Sequence, residues 1–199
     1  VMDGHFVPNI TFGPPVIKSV QTSLWKDVHL VVQDPLPKLA AYVAAGADML
    51  TVHIESCGAH AHKVFQTLGG MVNANDPQRG LVRGVALNPG TPLEAVVPLL
   101  PEVDLILLLA VNPGWSGKKF IPTTLGRVQH LRHLVQTAGR EILIGVDGGI
   151  TRDNFRALTA TGADFFVAGS AIVDGQAVAA NARYFLDILA QPQRKLDNN

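Results

Sequence analysis

Hydrophobic and polar positions along this chain follow two alternating rhythms. Short runs rich in Val, Ile and Leu, each of strand length, are separated by segments with apolar residues three and four apart. The first rhythm predicts strands at 27–32, 49–55, 84–88, 105–111, 141–147 and 164–168. The second predicts helices at 14–24, 35–46, 60–68, 92–100, 123–136, 152–161 and 177–189. Pro14-Pro15 suits a first helical turn, and Gly46 and Gly162 suit helix ends. Residues 69–79, with Asn73, Asn75 and Asp76-Pro77, read as a loop. Val1–Asp3 reads as the end of a strand, and 191–199 as a polar, frayed tail.

Strands alternating with helices through short loops predict a parallel α/β sheet, either open and doubly wound or closed as a (β/α)₈ barrel. Polar or glycine residues recur near the C-terminal strand ends (His29, Glu55, Asn88, Asn112, Asp147, Gly169-Ser170), where a barrel builds its site. No Gly-x-Gly-x-x-Gly turn opens a helix, as a doubly wound nucleotide fold would want. The barrel is therefore the expected fold. Only the stub and six strands are present, so the expectation is a single, incomplete barrel domain over 1–199, lacking the first βα unit and most of the second strand.

Composition narrows the class. A 199-residue chain that is 47% hydrophobic can bury a substantial core. Its 16 basic and 16 acidic side chains balance, which argues against nucleic acid or an anionic membrane as partner. The single Cys57 cannot form an internal disulfide, and no apolar stretch reaches membrane-spanning length. The expected setting is soluble and cytoplasmic; a homo-oligomer is compatible with the sequence.

Candidate chemistry starts at Asp147-Gly148-Gly149. A carboxylate ending a buried strand is costly unless it ligates a cation, accepts hydrogen bonds or moves protons, and a turn-capping aspartate is the alternative. The glycines let the backbone turn tightly and offer its N–H groups to a ligand. Alternation sets Thr51, His53 and Glu55 on one strand face, as site or buried hydrogen-bonded residues. Cys57, His60 and His62 lack a usual zinc spacing, His130 and His133 sit on an amphipathic helix, and Ser170 lacks a nucleophile-elbow context.

Several segments, in order, resemble one family. Residues 1–13 (VMDGHFVPNITFG), Asp27-Val-His-Leu30, Val85-Ala-Leu-Asn-Pro-Gly-Thr91, Val111-Asn-Pro-Gly114, Lys119-Phe-Ile-Pro122, Val146-Asp-Gly-Gly-Ile150 and Ala168-Gly-Ser-Ala-Ile172 look like the ribulose-phosphate 3-epimerases. The resemblance implies a TIM-type (β/α)₈ barrel of the ribulose-phosphate-binding kind. It implies an isomerase that epimerises C3 of a ketose phosphate, D-ribulose 5-phosphate to D-xylulose 5-phosphate in the pentose phosphate pathway, with two carboxylates and an enediolate. A divalent metal (Zn, Fe, Co or Mn) is implied as cofactor, and a small sugar phosphate as partner.

Carried over residue by residue, Asp147 matches an acid/base residue and a metal ligand, and His29 a second ligand. The other acid/base aspartate is expected immediately before Val1, with a histidine ligand two residues earlier. Asp3 is no substitute, because alternation turns it away from the side that Met2 faces; it reads as a turn aspartate before Gly4. Met2 matches the wall beside the metal. Gly114, Trp115, Ser116 and Gly117 match the loop over the substrate, and Gly148, Gly149, Gly169 and Ser170 the phosphate site.

Departures from the family pattern are Trp115, Ser116 and Lys118 in the loop, Val31 and Leu109 where methionines are usual, and Ala110 for a usual Thr. They leave open an epimerase for a related sugar such as allulose 6-phosphate. A non-catalytic sugar-phosphate-binding barrel is a further alternative. A decarboxylase on the same barrel would want an Asp-x-Lys-x-x-Asp cluster, which is not found.

Overall fold

The computed structural model describes residues 1–115 and 117–191. Six parallel strands pair strictly in chain order: β1 (Asp27–Leu30), β2 (Met49–His53), β3 (Val82–Leu87), β4 (Leu105–Leu109), β5 (Leu143–Asp147) and β6 (Phe165–Val167). Val1–Met2 extends the sheet beyond β1, with Met2 bridged in parallel to Val31 and the Val31 N–H donating to Val1 O at 2.8 Å.

Alternation along each strand creates the two faces. Val28, Leu30, Leu50, Val52, Val85, Leu87, Ile106, Leu108, Ile144 and Val146 point outward into the main core. Helices cover them: α1 (Pro14–Ser19), α2 (Leu39–Ala44), α3 (Ala61–Gly69), α4 (Thr124–Thr137), α5 (Arg152–Thr159) and α6 (Val178–Leu189). The inner face holds a smaller cluster of Ala86, Leu107 and Leu109 with Phe165 and Val167 against it.

The sheet is curled. Laid flat, strands β1 and β6 would stand about 24 Å apart, at ~4.8 Å per strand step. Yet residues following both strands line one cleft, Val31 on one side and Gly169 and Ser170 on the other. Strictly sequential parallel pairing with this curl is the (β/α) barrel arrangement, and it puts every strand's C-terminal end on one rim.

Local departures from expectation have local causes. Helix α1 stops at Ser19, well short of residue 24; it buries no residue, so nothing rewards further turns. Residues Leu93–Leu99 form a 3₁₀ run rather than an α-helix, with Pro98 inside, which lacks the N–H that an α-turn needs. Strand β2 ends at His53, and Ile54–Ser56 is a 3₁₀ turn, so Glu55 is not on the strand face with Thr51 and His53. The 69–79 loop is anchored at the opposite rim. Arg79 pairs with Asp48, and the Asn73 amide donates to Gly80 O at 2.8 Å. Among the described residues, no helix is long and apolar enough to cross a membrane.

Candidate active site

The C-terminal rim of the sheet opens into a cleft of ≈ 300 Å³. Val1, Met2, His29 and Val31 form one wall; Leu109, Val111 and the loop residues Pro113, Gly114, Trp115, Gly117 and Lys118 form another. Asp147, Gly148, Gly149, Val167, Gly169 and Ser170 close it. The curl thus gathers every site residue expected from sequence except Ser116, which lies outside the described residues. Sequence reading did not single out Val111, Pro113 or Val167 for the wall; only their register, two residues after or beside the inner-face positions, could have flagged them.

His29 and Asp147 meet across the cleft floor, with His29 Nδ1 3.3 Å from Asp147 Oδ2 and side chains 18% and 22% exposed. Behind His29, its Nε2 lies 2.9 Å from Nε2 of His53, whose Nδ1 lies 3.3 Å from Glu55 Oε2. The two imidazole planes are within 16° of each other at a centroid distance of 4.9 Å, so the rings meet edge to edge, as an in-plane N–H···N bond requires. His53 is fully buried, with the Phe6 ring 5.0 Å away. Burial lowers the His53 pKa and outweighs the opposing pull of Glu55.

Glu55 is fixed in turn. Its Oε1 accepts the Asn88 N–H at 2.7 Å and the Thr91 hydroxyl. Arg127 braces that turn by donating to Thr91 O at 2.8 Å. Burial alone would raise the Glu55 pKa, but the bonds from His53, Thr91 and Asn88 outweigh it and hold the carboxyl at about 2.

Both facing groups at the cleft floor can act as acceptors, and their spacing suits a shared cation. Two donors each about 2.1 Å from a tetrahedral or octahedral ion stand roughly 3.0–3.4 Å apart. An imidazole and a carboxylate fit a divalent transition ion of the Zn, Fe, Co or Mn kind. They are two donors only; among the described residues no group of three His, Cys, Asp or Glu side chains is placed to hold a metal ion.

The glycines are built for close approach. Gly148 and Gly149 adopt φ of 101° and 65°, which side chains rarely occupy. A methyl on Gly149 would lie 2.7 Å from the Phe120 N, and one on Gly148 would run into Val111. Helix α5 begins just beyond, capped by reciprocal bonds between Thr151 and Asn154. Lys118 Nζ lies 5.5 Å from the Trp115 ring centroid.

Other candidates fall outside the cleft. Asp3 accepts the N–H groups of His5, Phe6 and Gln33 and the Lys38 ammonium, so it organises the loop that follows. Burial opposes these bonds, and together they bring its carboxyl to about 2. Cys57 is buried, with its thiol pushed up to about 12 by burial and donating to His53 O. His60, His130 and His133 are exposed.

The model of the ribulose-phosphate 3 epimerase family matches residues 1–173. A ribulose-phosphate 3-epimerase of Rhodobacter capsulatus is 40% identical over 194 residues, 96% of this chain and 79% of that protein. Its Bacillus subtilis counterpart is 39% identical over 175 residues, 86% of this chain and 76% of the relative. The Escherichia coli K12 enzyme of that name is 39% identical over 178 residues, 87% and 75% of the two chains. Among solved structures, a 3-hexulose-6-phosphate synthase from Salmonella typhimurium shares the fold, with a TM-score of 0.54 at 23% identity, over 85% of this chain and 75% of that one.

Proposed function

The chain belongs to the ribulose-phosphate 3 epimerase family, a family of isomerases, and on that premise we propose that it interconverts D-ribulose 5-phosphate and D-xylulose 5-phosphate, with Asp147 moving the C3 proton. What carries this reading is the placement of Asp147, the one carboxylate lining the cleft among the described residues, opposite His29. The C3 proton is acidic because the adjacent ketone delocalises the charge left behind, and a carboxylate within reach can take it.

A divalent cation, when bound by His29 Nδ1 and Asp147 Oδ2, would supply positive charge to the substrate oxygens as that negative charge develops. His29 faces the Asp147 carboxylate across the cleft floor, where the two could hold such an ion together. Gly148, Gly149, Gly169 and Ser170 offer backbone N–H groups and a hydroxyl to the phosphate, at the end of the barrel where such sites recur. Lys118 adds a cation on that side. Met2, Val31 and Leu109 make an apolar wall that keeps water from the reacting carbon. The loop carrying Gly114, Trp115 and Gly117 covers the substrate, with Gly114 held by a bond from the Asn9 amide to its carbonyl. Proton transfer on the opposite face needs a second acid/base group; among the described residues Asp147 is the one carboxylate that lines the cleft.

The test follows the C3 proton. Full-length protein with Mn²⁺ or Zn²⁺ is incubated with D-ribulose 5-phosphate in D₂O, and C3 deuteration is read by NMR. Asp147→Asn is expected to abolish exchange, by about 10²–10⁴-fold or more. Exchange retained in that variant overturns the assignment. Substrate binding without exchange in the unmodified protein would favour a sugar-phosphate-binding role instead.

A further inference from the structure

The geometry points to a function for the buried His53 and its partner Glu55: we propose that they form a hydrogen-bonded relay that fixes the tautomer of His29, keeping its Nδ1 bare toward the cleft. They are positioning residues, since neither lines the cleft. The inference deepens the metal reading of His29 and Asp147 and rests on it for its purpose, though not for its test.

The direction of the relay follows from its far end. The backbone N–H of Asn88 can only donate, and it does so to Glu55 Oε1. The Glu55 carboxylate, bound there and by Thr91, is an acceptor only, so its Oε2 must accept a proton from His53 Nδ1. A neutral imidazole carries one N–H, which leaves His53 Nε2 as an acceptor. At 2.9 Å the facing atom, His29 Nε2, must then be the donor. The His29 proton is thereby placed at the back of the ring, and Nδ1 presents its lone pair to Asp147 Oδ2 at 3.3 Å. Two acceptors facing one another repel unless a cation or a proton sits between them. A ring held this way is prepared to ligate, and the carboxylate–histidine support behind it resembles the hydrogen bonding that orients metal-binding histidines generally.

The chain of constraints makes Glu55→Gln informative. Oε1 of the new side chain must still face the Asn88 N–H, so its NH₂ group must point at His53 Nδ1. His53 is then forced to carry its proton on Nε2, His29 Nε2 becomes the acceptor, and the His29 proton moves to Nδ1, toward Asp147. One isosteric change inverts the whole relay.

The experiment is long-range ¹H–¹⁵N NMR of the metal-free, ¹⁵N-labelled protein, followed upward in pH until each imidazole holds one proton. The unmodified protein is expected to show His29 protonated at Nε2, and Glu55→Gln to show it protonated at Nδ1. Zn²⁺ affinity, measured without substrate, is expected to fall by about 10–100-fold in the variant. A His29 proton on Nδ1 in the unmodified protein overturns the proposal, and needs no variant to fold. The same tautomer in both proteins also overturns it. Either result leaves the epimerase reading intact, because the tautomer is read without metal or sugar; conversely, Asp147→Asn tests that reading without touching the relay.

Discussion

Gly148 sets the turn that carries Asp147 into the cleft, and replacing it with alanine separates two costs that the structure makes distinct. Its φ of 101° is outside the range side chains favour, which costs roughly 1–2 kcal/mol. The added methyl would also overlap the Val111 side chain, pressing on Cγ2 and lying 3.2 Å from Cγ1 and 3.3 Å from Cβ. Overpacking of that kind costs about 1–3 kcal/mol. Gly148→Ala is therefore expected to destabilise by about 2–5 kcal/mol. Val111→Ala, which removes two buried methyls, is expected to cost about 2 kcal/mol. In the double variant only the 3.3 Å contact with Cβ remains, so the steric part is relieved and the backbone part persists. Urea unfolding of the four proteins should give a coupling of about 1–3 kcal/mol in favour of the pair. Additivity within about 0.5 kcal/mol would refute the overlap and with it the tight packing of the Gly148 turn on Val111.

Two further outcomes test the scaffold behind the site. Gly84 faces the buried Thr51 on the next strand; a methyl there would press on Thr51 Oγ1 and lie 2.9 Å from its Cβ, so Gly84→Ala should lower stability by about 1–3 kcal/mol in denaturant unfolding, with recovery in Gly84→Ala/Thr51→Gly. Glu55 is held at about 2 against an ordinary 4.5, so its contribution to stability is complete above pH ~4.5 and is lost as pH falls toward 2, because the unfolded chain takes up the proton first. The loss is at most about 3 kcal/mol, reduced by screening at a side chain that is 22% exposed; acid unfolding of Glu55→Gln, compared with the unmodified protein, should lack that slope.

The strands were legible because each has an apolar face for the helices, and β4 and β6 have apolar residues toward the barrel interior as well, giving compact runs such as Leu105–Leu109. All six were located from the sequence, and so were the two long helices α4 and α6, whose buried residues recur at helical spacing. Helix type was less legible. The apolar positions of Leu93–Leu99 fit a helical period, but Pro98 decides between α and 3₁₀ and the period does not see it. Likewise 14–24 is apolar enough for a longer helix, while α1 buries no residue and ends at Ser19, with residues 20–24 exposed.

At the site, strand-end polarity found the rim, but the relation between side chains needed the curl. His53 and Glu55 lie two residues apart and suggest a shared strand face; the strand instead ends between them, and a 3₁₀ turn brings the carboxylate back to the imidazole. The same geometry weighs the two readings of Asp147 left open by its position before two glycines. A capping aspartate spends its oxygens on nearby N–H groups, as Asp3 does with His5 and Phe6, and Asp174 with Gln176 and Ala177. Two other aspartates are held by cations, the buried Asp48 by Arg79 and the half-buried Asp104 by Arg83. Among the described residues the Asp147 side chain accepts no N–H or O–H bond and pairs with no Lys or Arg; it faces His29, and the relay behind that ring turns a lone pair toward it. A carboxylate left without a donor at the floor of a cleft is poorly suited to holding a turn together. It is well suited to a cation and a proton that come with the substrate.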